Sequence, residues 1–142
     1  MVAADPSPPP SEFLRETGVE MVPLAALWPQ AQVLMLACPL TAATHRLLNE
    51  VAAAQLPDNA YIINVARGPL IAEAALLTHR TKWGGIALDV FEQEPLAPDS
   101  PLLALDGLIV GSHNASNTQE AVARVNHRAI ANLLRDLEGD RL

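Results

Sequence analysis

The sequence predicts an α/β fold, with parallel strands joined by helices that pack on the sheet. Two observations carry this. Short apolar, β-branched runs alternate along the chain with helix-forming stretches, as expected of strands joined by helical crossovers. Several runs also end in a charged or turn-forming residue, which is how parallel sheets deliver side chains to a ligand crevice at their carboxyl edge.

Taken in order, Met1-Val2-Ala3-Ala4-Asp5 reads as the end of a strand closed by an acid. A loose tail is the competing reading, because Pro6-Ser7-Pro8-Pro9-Pro10 can form neither helix nor central strand. Ser11 to Thr17 reads as a short helix with Ser11 as candidate N-cap and Gly18 closing it. Val19 to Val22 is a weak edge strand, and Leu24 to Trp28 a helical turn ended by Pro29. Val33 to Cys38 is read as a buried strand stopped by Pro39-Leu40-Thr41. Glu50 to Leu56 follows Asn49 as a helix and stops at Pro57-Asp58-Asn59. Tyr61-Ile62-Ile63-Asn64-Val65 is the next strand and breaks at Arg67-Gly68-Pro69.

A helix is expected from Ala72 to about Lys82, after which Gly84-Gly85 relaunches the chain into Ile86-Ala87-Leu88-Asp89-Val90-Phe91. A Pro-rich loop from Pro95 to Pro101 and the turn Asp106-Gly107 lead to the last strand, Leu108-Ile109-Val110. In the final helix Val122, Val125, Ala129, Leu133 and Leu137 recur at helical spacing and make one apolar face. Asn117 with Glu120 supplies its start signal, and it ends near Glu138-Gly139.

The 142 residues suffice for one domain. Half are hydrophobic but only 4% aromatic, so the core must be built from Ala, Leu, Val and Ile. A net charge of −7 argues against nucleic acid or an anionic membrane as partner. An anionic substrate would then need a local cation. The single Cys38 excludes an internal disulfide and fits a reducing cytosol, which makes the expected localisation cytoplasmic. Its apolar surroundings suit a small buried hydrophobe better than a reactive thiol. No apolar run is long enough to span a bilayer, and the N-terminus lacks signal-peptide features. His45, His79 and His127 lack metal-ligand spacing, so no metal is expected, and His79 and His127 are placed on solvated helix faces.

The strand ends offer Arg67, then Asp89 followed by Glu94, then His113. Arginine can grip a carboxylate with two parallel hydrogen bonds and stays charged at every relevant pH. Histidine titrates near neutrality, at ~6.5 in its ordinary setting, and suits proton transfer. Each has a plainer reading: a surface Arg67, a turn His113, and Glu92, Glu94 and Asp99 as a solvated acidic loop.

Asn64-Val65-Ala66-Arg67-Gly68, Ala87-Leu88-Asp89-Val90-Phe91-Glu92-Gln93-Glu94-Pro95, and His113 with Ala115 and Thr118-Gln119-Glu120-Ala121 occur in that order. In these segments the sequence resembles the D-isomer-specific 2-hydroxyacid dehydrogenases, the phosphoglycerate, glycerate, formate and D-lactate group. The resemblance implies a Rossmann-like NAD-binding domain and hydride transfer between NAD and a 2-hydroxyacid or 2-oxoacid. It implies His113 as acid/base, Glu94 as its carboxylate partner, and Arg67 as the group that binds the substrate carboxylate and polarises the carbonyl. It places Asp89 on the nicotinamide side, and Cys38, Pro39, Val65, Ala66, Arg67 and His113 beside the cofactor. Asp5 then stands where the second strand's acid accepts hydrogen bonds from the adenosine ribose, which favours NAD over NADP.

Against the group's pattern, residues 1–142 contain no GxGxxG, the fingerprint that brings backbone amides to the pyrophosphate. Ala72 stands where an acid is common, and the helix after it reads as short. The chain therefore reads as the C-terminal part of the NAD-binding domain, without the first strand, the glycine loop or the separate substrate domain. It is expected to be a truncated product or one whose start lies upstream, with residues 33–138 as the best-ordered core. In strand order 3-2-1-4-5-6 the first strand is central, so its absence should leave a gap beside the fourth. The strands could close up, the first two could fray, or a second copy or missing-domain partner could fill the gap. Turnover by this polypeptide alone is not expected. Two other readings remain: a non-enzymatic, NAD-responsive interaction protein of corepressor type, and an inactive remnant.

Overall fold

The structure, a computed structural model, describes residues 1–114, 116–137 and 139. Two parallel sheets form. Strand β1 (Val2–Ala3) pairs with β2 (Glu20–Met21), joined through helix α1 (Ser11–Thr17). The other sheet holds β3 (Val33–Leu36), β4 (Ala60–Asn64), β5 (Trp83–Leu88) and β6 (Leu108–Val110) in that spatial order, all parallel. Helix α2 (Leu24–Leu27) and a 3-10 turn lead into β3. Helices α3 (Glu50–Gln55) and α4 (Glu73–Thr78) make the crossovers around β4. The long α5 (Gln119–Leu137) follows β6.

Local chemistry explains most boundaries. Gly18 closes α1 in the left-handed region at φ 66°, its N–H donating to the Leu14 carbonyl. The residue at the N-cap of α1 is Pro10, so Ser11 lies inside the helix rather than capping it. Asn49 caps α3 by accepting the Ala52 N–H at 3.1 Å. At α5 the cap is Thr118, whose hydroxyl accepts the Ala121 N–H at 3.1 Å; Glu138 lies outside the described residues.

One face of the larger sheet makes the core. Leu34, Leu36, Ile62, Ile86 and Leu88 point there and bury against Ala52 and Ala53 of α3, Ala75 and Leu76 of α4, and the loop residues Leu48, Leu70 and Leu102. Burying each large aliphatic side chain stabilises the fold by about 1.5–3 kcal/mol. The opposite face stays open: Val33, Met35 and Ile109 are 60%, 59% and 69% exposed. The expectation of a buried strand from Val33 to Cys38 is corrected accordingly. The strand ends at Leu36, lies at the edge of its sheet, and buries only alternate residues. Its outer edge pairs with no strand among the described residues, and β1 and β2 pair with each other instead of closing onto it.

Three further expectations change. Helix α4 stops at Thr78 rather than near Lys82, because the chain must turn to bring Trp83 into β5, where its indole N–H donates to the Leu76 carbonyl. Gly84 and Gly85 lie within β5, where the Tyr61 ring occupies the space a side chain would need, 3.0–3.1 Å from either added Cβ. His79 is not on a solvated face: it sits partly buried at the end of α4, edge-on to Trp83 and 2.9 Å from a Glu50 carboxylate oxygen. His127 is exposed, as expected.

Candidate active site

The carboxyl ends of β4, β5 and β6 gather at one edge of the sheet. Asn64, the last residue of β4, is fully buried. Its side chain accepts the Ala66 N–H at 3.1 Å and donates to the Arg67 carbonyl at 2.9 Å, folding the turn that carries Arg67. Its own carbonyl accepts the Asp89 N–H at 3.0 Å, which ties this turn to the end of β5. Arg67 is left exposed, with Nη1 donating to the Ala66 carbonyl at 2.6 Å. Gly68 then packs on the next loop so closely that an added Cβ would lie 1.8 Å from the Phe91 carbonyl oxygen.

That next loop presents Glu94. Its Oε1 accepts the Phe91 N–H at 3.0 Å, and its Oε2 lies 2.8 Å from His113 Nδ1. These two hydrogen bonds, the His113 one foremost, hold the Glu94 carboxyl below the usual carboxylate range, and the positive charge of Arg67 adds a smaller effect in the same direction. An ionised carboxylate can only accept, so Nδ1 is the donor and Nε2 is left to exchange a proton. His113 adopts φ 58°, a left-handed conformation uncommon outside glycine, which turns the chain after β6 towards Glu94. A cleft of about 250 Å³ lies between these loops, lined by Asp89, Phe91, Glu94, Leu96, Gly111 and His113 among others. Arg67 lies outside its walls.

The other residues singled out in the sequence fall along the same edge. Asp89 accepts the Asn114 N–H at 3.3 Å, and Gly111 approaches it so closely that an added Cβ would lie 2.1 Å from Oδ1. Val65 is exposed and Ala66 partly buried beside Arg67. Cys38 is half-buried after β3; burial pushes its thiol up, a backbone hydrogen bond acts the other way, and the charge of Asp5 adds a smaller upward push. A raised thiol is a poor nucleophile. The Pro39 carbonyl accepts the Thr44 hydroxyl at 2.7 Å. Asp5 accepts the Ser7 N–H at 2.7 Å and is otherwise exposed. Ala115 lies outside the described residues. Among the described residues no group of three His, Cys, Asp or Glu side chains is arranged to hold a metal ion, and no helix is long and apolar enough to cross a membrane.

Sequence reasoning missed Asn64, Gly68 and the acids that fasten the two loops together. Glu92 N–H donates to Glu73 Oε1 at 2.7 Å, Glu73 N–H donates to Glu92 Oε2 at 3.2 Å, and Arg46 Nε donates to Glu92 Oε1 at 3.2 Å. A polar Asn ending an apolar strand was the available signal for the first; contacts between loops leave no local trace.

Comparison with known proteins shows the family. Residues 1–115 match the family model "D-isomer specific 2-hydroxyacid dehydrogenase, NAD binding domain". The glyoxylate reductase of Thermofilum pendens is 39% identical over 125 residues, which is 87% of this chain and 37% of that protein. Among solved structures, the glyoxylate reductase of Paecilomyes thermophila superposes with a TM-score of 0.87 at 29% identity, covering 99% of this chain and 43% of that one. The D-lactate dehydrogenase of Aquifex aeolicus, solved with NAD and lactic acid, gives 0.80 at 29% identity over 98% of this chain and 46% of that one. The chain thus spans less than half the length of these relatives. The strand ends fit the family's cofactor, with exposed Asp5 able to accept ribose hydroxyls and Asp89 beside the cleft. The chain belongs to the D-isomer-specific 2-hydroxyacid dehydrogenase family, as part of its NAD-binding domain.

Proposed function

We propose that this chain forms the acid/base side of an NAD-dependent oxidoreductase acting on the CH–OH group of a short 2-hydroxyacid, or on the matching 2-oxoacid in reverse. The contact between Glu94 and His113 carries the reading, with Arg67's charge acting on the same carboxylate. In the reducing direction His113 Nε2 gives its proton to the carbonyl oxygen, and Glu94 steadies the imidazolium before that step. Arg67 grips the substrate carboxylate and favours the developing oxyanion. Asp5, Cys38, Pro39, Val65, Ala66 and Asp89 line the cofactor's path, and NAD, when bound, supplies the hydride chemistry.

Residues 1–142 are read as a partial NAD-binding domain that works with a substrate domain or as a homodimer, in the cytosol that the lone thiol suits. Without a glycine-rich phosphate loop in these residues, the isolated chain should not reduce 2-oxoacids at an enzymatic rate. The test is a chimera in which this chain replaces the matching segment of the Thermofilum pendens reductase, assayed for NADH-dependent reduction of glyoxylate and hydroxypyruvate. Activity is expected, with kcat falling about 10²–10⁴-fold in His113→Asn and KM rising in Arg67→Gln. A folded chimera indifferent to both changes would refute the assignment. The open apolar face of the larger sheet favours one other reading, an NAD-responsive interaction protein, and NADH binding by the folded chimera without turnover would support it.

A further inference from the structure

We propose that Glu73 and Glu92 are positioning residues, whose reciprocal clasp, anchored by Arg46, sets the loop that presents Glu94 to His113. The inference rests on reading Glu94 and His113 as the acid/base pair.

Each carboxylate in the clasp accepts the other residue's backbone N–H, at 2.7 and 3.2 Å. Helix α4 begins at Glu73, and the residue before it, Ala72, offers no capping side chain. An uncapped helix start leaves N–H groups without acceptors, and Glu92 supplies one from the neighbouring loop. Arg46 Nε, 3.2 Å from Glu92 Oε1, offsets the repulsion between the two acids. Burial pushes the Glu73 carboxyl up, the hydrogen bond from the Glu92 N–H draws it down, and the charge of Glu92 adds a smaller upward push.

Glu92 stands between the two ends of the Glu94 contact. Phe91, just before it, donates its N–H to Glu94 Oε1, while its carbonyl rests on Gly68. Residues 91 to 94 are therefore held from the Arg67 turn through Gly68 and from α4 through Glu73. Neither Glu73 nor Glu92 lines the cleft, so their influence on the chemistry must pass through Glu94.

The two roles these acids could play have opposite electrostatic signs. Removing Glu92's negative charge alone should lower the Glu94 carboxyl further, because a like charge has gone. Letting the loop drift should raise it, because the hydrogen bonds from His113 and Phe91 weaken. Carbon-13 NMR titration of the Glu94 side-chain carboxyl in the intact chain reads this directly, with circular dichroism confirming the fold of each variant. In Glu92→Ala the Glu94 midpoint should move up towards the ordinary carboxylate range. In Glu92→Gln, which keeps an acceptor oxygen, it should stay low. Glu73→Ala should repeat the upward shift, and serves if Glu92→Ala fails to fold. An unchanged or lowered midpoint in a folded alanine variant would overturn the clasp. The titration uses no substrate, so a chimera that fails to turn over would sink the enzymatic reading and leave this result intact.

Discussion

Gly68 is the residue at which the Arg67 turn and the Glu94 loop touch, and a single methyl should part them. Gly68→Ala would place Cβ 1.8 Å from the Phe91 carbonyl oxygen, so backbone must move. Overpacking of this kind typically costs about 1–3 kcal/mol, to be read as a lower Tm together with loss of the Glu94–His113 contact. Asn64→Leu should cost about 1–3 kcal/mol in chemical denaturation, because the Ala66 N–H and Arg67 carbonyl lose their partner in a buried turn. A loss under a few tenths would show that water replaces the amide. Glu94 gives the pH dependence. Its folded-state pKa is lowered, so its contribution is present above the unfolded value of ~4.3 and is lost as pH falls through the folded one. Wild type should therefore lose more stability than Glu94→Gln on acidification through that window; parallel curves would contradict the pairing. That Glu94 and His113 come together was legible because each follows an apolar run with a distinctive charge; Arg67 follows another such run but lies outside the cleft walls. Asn64 was passed over as part of such a run, although a polar residue closing an apolar strand is a signal in itself.

At the scale of elements, strand positions were legible from β-branched runs, and boundaries less so. Gly84 and Gly85 read as the lead-in that relaunches the chain into a strand, yet they are strand residues cleared of side chains so that the Tyr61 ring can lie across them. That reason sits in another strand and cannot be seen from a window around the glycines. The apolar stripe of α5 predicted the helix, but Val125, Leu133 and Leu137 are 66%, 59% and 73% exposed and no described α5 residue is buried. Helices without packing partners are marginal in water. Amide exchange should therefore find α5 nearly unprotected while β4 and β5 exchange only on global unfolding. Equal protection would mean that the helix has a partner in solution.

The molecule as a whole presents one well-covered sheet face and one open one. Strand register sets Met35, Ile63, Ala87 and Ile109 in a row across that open face, with Val33 beside Tyr61 in the next. Apolar surface of this kind marks an interaction site. Light scattering after size exclusion should therefore give a mass above the monomer's 15.2 kDa, falling towards it in Val33→Thr/Ile109→Thr. A monomer at every concentration would contradict this. If Glu94 and His113 act as one unit, a double-mutant cycle on kcat/KM in the glyoxylate reductase chimera should show it. Residues acting as a unit are strongly non-additive, so Glu94→Ala should cost little once His113→Ala is in place. Losses that simply multiply would mean that the two side chains touch without working together.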